Sequence, residues 1–242
     1  FIGELAGGAG TQTDACDYNV GAGYGALTAL TQGTQNVVVG ASAGAALLTG
    51  NNNVAVGMES FQDATSQSFC VVIGKKAGAD IDDDAANGTV AIGYDALKIL
   101  TSGAGNTAVG YQAGSSTTNT SYNTFIGHQA GGTTNNTHNT FVGWRAGNDV
   151  TSGYGNTAVG SDAGSNADIA ATGDYNTSVG HQAGENIQST GANNTLIGSG
   201  AGKSMLGTSN NACLGKNAGD AINTGDSNVC IGKDAGNTIT SG

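Results

Sequence analysis

Proline is missing from all 242 residues, charged side chains supply only 10% of them and aromatic ones 5%. Each shortage excludes a class of structure. A chain this poor in charge is not a disordered polyelectrolyte tail, so it is expected to fold into something tightly hydrogen-bonded. The few charges are lopsided, 18 Asp and Glu against 7 Lys and Arg for a net charge of −11. No basic stripe exists to release counterions from a phosphate backbone, which argues against nucleic acid as a partner. No apolar run approaches the roughly eighteen residues of a membrane-spanning helix, which argues against membrane insertion. The opening residues Phe1-Ile2-Gly3 carry neither an initiator Met nor a signal-peptide pattern, as expected of a mature or trimmed piece of a longer chain.

What is abundant is glycine, 43 residues, and it recurs on a schedule. A phrase of the form Asn-Thr-Ala-Val-Gly-x-x-Ala-Gly repeats along the chain. Its anchor, the Gly after an aliphatic residue, falls at Gly3, Gly21, Gly40, Gly57, Gly74, Gly93, Gly110, Gly127, Gly143, Gly160, Gly180, Gly198, Gly215 and Gly232. The fourteen anchors are mostly 17 residues apart, within a range of 16 to 20, and extra residues enter only between phrases. A helical array is excluded by cost: at roughly 1 kcal/mol per glycine relative to alanine, so many glycines would cost several times the stability of a typical domain. The expectation is an all-β fold, a parallel β-solenoid or β-roll of about fourteen coils, forming a single repeat domain over 1–242. One coil buries too little to fold alone, so stability is a nearest-neighbour property of the stack.

The residue before each anchor is aliphatic (Val39, Val56, Ile73) and the residue two earlier is Val or Thr (Val37, Thr107, Thr157), the period of two of a strand. These two columns are expected to face the coil's core. The residue between them is apolar as well, and a strand apolar on both sides is buried on both sides. The column containing Ala108, Phe125, Phe141 and Ala158 is therefore expected at a subunit interface. Asn four residues before the anchor marks the turn into each strand, and the anchor Gly and the Gly of Ala-Gly are expected at positive φ.

The phrases Asn106-Thr107-Ala108-Val109-Gly110-Tyr111-Gln112-Ala113-Gly114 and Val90-Ala91-Ile92-Gly93 resemble two families of trimeric surface proteins. The second phrase is similar to the head repeat of trimeric autotransporter adhesins, a left-handed parallel β-roll. The first is similar to the shaft of phage tail fibres that end in an intramolecular chaperone. The resemblance implies a homotrimer outside the cell, on a virion tail or a cell surface, serving host attachment through a cell-surface glycan or protein receptor.

Candidate sites are few. No catalytic constellation, cofactor motif or metal-binding motif is recognisable, and no enzyme activity is expected. Asp80, Asp82, Asp83 and Asp84 form the densest charge, a weak calcium candidate set against a solvated loop paired with Lys75 and Lys76. Tyr94, Tyr111, His128 and Trp144 each follow an anchor, which points to an outward stripe. It is read either as stacked rings that stabilise the ladder or as a receptor surface for sugar rings. Cys213 and Cys230 hold equivalent places 17 residues apart, close enough for a disulfide or for two packed thiols. Two alternatives to the attachment fibre stand. One is a self-polymerising extracellular filament, since the chain begins and ends inside the repeat. The other is an ice-binding solenoid, which needs an outward threonine array that the inward assignment of Thr disfavours.

Overall fold

A computed structural model describes residues 2–8, 16–165, 173–187, 191–223 and 225–239, without the side chain of Asp84. The fold is an all-β parallel solenoid. Backbone contacts cluster into two compact units, Phe1–Tyr122 and Asn123–Gly242. In the first unit, β1 (Val20–Ala22), β2 (Val37–Val39), β3 (Val54–Val56), β4 (Val71–Ile73), β5 (Val90–Ile92) and β6 (Thr107–Val109) pair in parallel, each with the next. In the second, β7 (Thr124–Ile126), β8 (Thr140–Val142), β9 (Thr157–Val159), β10 (Thr177–Val179), β11 (Thr195–Ile197) and β12 (Ala212–Leu214) do the same. There β13 (Ala221–Ile222) and β15 (Thr238–Ile239) form a separate two-stranded ladder beside β14 (Val229–Ile231), which pairs with β12. Among the described residues a second short strand forms only at β13 and β15; elsewhere the rest of the turn is tied to its neighbours by backbone bonds such as Leu48 N–H to Thr65 O at 2.7 Å.

Register follows the repeat with one correction. Val20 pairs with Val37 and Ala22 with Val39, so the anchor of that coil is Gly23 and not Gly21. Gly21 is the buried middle residue of β1, and a short Val-Gly-Ala-Gly run had offered two glycines after small or aliphatic residues. The anchors do sit at positive φ, as at Gly40 (φ 142) and Gly57 (φ 137). Coils approach so closely there that a Cβ on Gly40 would stand 2.3 Å from the Gly57 carbonyl oxygen.

The expected inside and outside of the strand are inverted. Val38 between them is fully buried, while Val37 and Val39 are 40% and 38% exposed. Every three-residue strand of the ladder repeats this buried middle and more exposed flanks. Ala108, Phe125, Phe141 and Ala158 therefore lie in the core of a single chain, and the assignment of these four to a subunit interface is corrected. The Val and Thr columns expected inside face outward.

The middle residue packs across the coil against the residue four after the anchor, and the two share one volume. In the first unit Val38 and Val72 face Gly44 and Gly78, whereas Ala55 and Ala91 accompany buried Phe61 and Leu97. In the second unit the corner is glycine: a Cβ on Gly131 would lie 2.3 Å from the Phe125 ring, and one on Gly147 2.4 Å from Phe141. Phe125 and Phe141 stack with centroids 5.7 Å apart.

Asn before the strand does more than turn the chain. In the second unit the Oδ1 of Asn176 accepts from the backbone N–H and the Nδ2 of Asn194, both at 3.0 Å, and Asn194 does the same for Asn211. These side chains are buried, where an unmet amide would cost about 1–3 kcal/mol. The left-handed residue is the one before it, such as Gln35, Tyr122 or Tyr175.

Candidate functional site

The aromatic stripe is present on each unit. In the first, Tyr94 and Tyr111 follow their anchors and stack at 5.2 Å with rings 13° apart. Because the ring faces are turned on each other, the pair offers the solvent edges and hydroxyls more than a flat platform. In the second unit His128 is exposed, and Trp144 carries the Arg145 guanidinium over its ring at 5.2 Å. Arg145 stands 3.9 Å from both Asp149 and Asp162, held between a ring and two carboxylates. Such a contact contributes about 0.5–1 kcal/mol where exposed, a stabilising role that needs no ligand.

A second aromatic row escaped the sequence reading. Tyr18, Phe69, Tyr122 and Tyr175, all highly exposed, stand immediately before the Asn (or Cys70) that opens the strand, each at positive φ. Tyr122 lies over Gly105 and Tyr175 over Gly155 of the preceding coil. In the second unit His138, Tyr154 and Tyr175 form a chain of ring contacts at 5.1 and 5.4 Å. The signal was a sequence position one residue outside the repeating phrase.

The acidic segment does not converge. Asp82 and Asp83 are exposed, and the Asp83 carboxylate accepts from the Ala85 N–H at 2.9 Å, capping a single turn of 3-10 helix over Asp84–Ala86. With Thr65 and Ser66 they line an open cleft of about 410 Å³. Lys76 pairs with Glu59 at 3.3 Å rather than with this segment. Asp63 shares the electrostatics: partial burial, then the carboxylates of Asp80 and Asp82, raise its pKa. Among the described residues no three His, Cys, Asp or Glu side chains gather as metal ligands.

Cys213 and Cys230 are direct register partners in β12 and β14, both buried and both free thiols. Burial, followed by the neighbouring Cys230, pushes the Cys213 thiol up to about 12, so it stays protonated and a poor nucleophile. The run Gly40-Ala41-Ser42-Ala43-Gly44 matches the Gly-x-Ser-x-Gly pattern of serine hydrolases, a match the sequence reading had passed over. Ser42 occupies the left-handed corner that Glu59, Lys76 and Gln112 hold in other coils, so the pattern comes from glycine spacing within the repeat.

A cavity of about 30 Å³ lies in the second unit among Phe141, Ala158, Ser178, Gly184 and Ile187. It has room for a water molecule and little more. What remains is the outward strand face, uncharged and half-exposed in both units: Val37, Val39 and Ile73 in the first, Ile126, Ile197 and Leu214 in the second. In the second unit this face also carries a column of Thr124, Thr140, Thr157, Thr177 and Thr195. Comparison of the chain with protein families, with curated proteins and with solved structures gives no match.

Proposed function

We propose that the chain is a non-catalytic structural segment of an extracellular attachment fibre on a virus or bacterial surface, assembled from three copies. The observation that carries this reading is the strand face: coil after coil keeps an exposed, charge-free apolar surface outside a core that is already complete. A ladder sustained by nearest-neighbour bonds suits a load-bearing shaft, and side chains at the corners, Trp144 and the exposed tyrosines among them, can vary for receptor contact without disturbing it. Immunogold labelling with antibody raised against the chain tests the reading. Label on discrete surface appendages is expected, label along indefinite filaments would favour a self-polymerising filament, and label confined to the cell interior would overturn both.

A second reading gains from one observation. The threonine column of the second unit faces outward beside Val and Ile, which is the arrangement an ice-binding surface requires and which the inward assignment had disfavoured. An ice-recrystallisation assay of the chain and of Thr140→Lys with Thr157→Lys decides it. Inhibition that the variant loses would support ice binding, and no inhibition would end that reading.

A further inference from the structure

We infer that copies of this chain meet through the outward face of their strands, the face opposite the one that fills the coil. The inference rests on the fibre reading and names the surface through which such a fibre would assemble. Charge selects the face. With 18 acidic against 7 basic side chains, two copies repel over most of their surfaces within a Debye length of about 10 Å. No Asp, Glu, Lys or Arg lies in any strand of the described residues, so the strand face is where a like-charged copy can approach without pairing carboxylates.

Composition points the same way. The outward residues are almost all Val, Ile or Thr, which are stiff at χ1 and lose little freedom when covered. Size permits it as well. At about 4.8 Å per strand and about 10 Å across three residues, the six strands of the first unit present roughly 290 Å². The seven laddered strands of the second present roughly 340 Å². Each is near the size at which an exposed apolar patch marks an interaction site. The occupant is a second copy because the face is self-complementary: uncharged and lined by the same residue types on both sides.

Light scattering on the purified chain tests this. The parent is expected at a multiple of 23.5 kDa, with that mass retained in 1 M salt. Val37→Asp with Val39→Asp is expected to fall to the monomer mass with an unchanged circular dichroism spectrum. Gln32→Asp with Thr49→Asp, which adds the same two charges at exposed loop positions, is expected to keep the oligomer. Should the first variant fail to fold, Val37→Thr with Val39→Thr keeps the side-chain shape and is expected to weaken self-association at least tenfold. A monomeric parent overturns the inference, as does a charged strand-face variant that keeps the parent's mass. Immunogold labelling does not read mass. A monomer that labels appendages would sink the interface alone, and an oligomer that labels none would sink the fibre alone.

Discussion

In the first unit the large core side chains Leu27, Phe61 and Leu97 stand at the corner and face small strand residues; in the second the corner is glycine and the bulk comes from Phe125, Phe141, Leu196 and two cysteines in the strand. The corner is left-handed in both, with φ of 54 at Phe61 and 57 at Gly147. The first unit therefore accepts about 1–2 kcal/mol of strain at each large corner residue in return for volume that the second obtains without strain. The polar ladders differ too. Seven Asn from Asn123 to Asn228 bond in succession in the second unit, whereas in the first Cys70 and Thr89 occupy two of the places. Where a large side chain fills a turn, either wall of the coil can supply it.

Among substitutions that leave the core uncharged, the largest effect should come from removing bulk on the second unit's wall. Phe141→Ala is expected to lower stability by about 3–5 kcal/mol in chemical denaturation, since glycine at the opposite corner cannot fill the space. The corner itself gives a sharper contrast. Gly147→Ala meets the Phe141 ring and is expected to cost about 3 kcal/mol, while Gly44→Ala, whose Cβ would find its nearest neighbour at 3.4 Å, should cost only the left-handed strain of about 1–2 kcal/mol. Equal losses would break the shared-volume account.

Ser178 and Gly184 are small on both walls, and both line the cavity. Since Val faces Gly at Val38 and Gly44, Ser178→Val is expected to raise stability by about 1 kcal/mol, seen as a higher melting temperature. The smallest effect belongs to the acidic edge of the first unit. The folded pKa of Asp63 is raised, so its contribution is fully present below the unfolded value near 3.9 and is lost as pH rises through the folded value. Asp63→Asn should therefore melt higher than the parent at pH 7 and match it near pH 3.

The repeat, the β class, the parallel pairing and the glycine corners were legible because spacing and glycine cost fix them. Inside and outside were not. Val37, Val38 and Val39 are all apolar, and period two says that neighbours point apart without saying which faces the core. The distinguishing mark was the range of the middle residue, which runs from Gly21 opposite Leu27 to Phe125 opposite Gly131, an exchange of size open to residues that share a closed volume. The outer columns stay near one size whatever stands at the corner. The stripe of Tyr94, Tyr111, His128 and Trp144 was found by position, but the mutual stacking that turns Tyr94 and Tyr111 away from a ligand depends on ring orientation, which sequence does not carry.

The assignment of core and exterior rests most directly on two variants one residue apart, Val38→Asp and Val39→Asp, melted at low protein concentration. Val38→Asp buries an unpaired charge and is expected to abolish cooperative folding or to cost at least about 3–5 kcal/mol. Val39→Asp places the charge in water and is expected to stay within about 1 kcal/mol of the parent. A stable Val38→Asp beside an unfolded Val39→Asp would restore the opposite assignment and return Ala108, Phe125, Phe141 and Ala158 to the exterior.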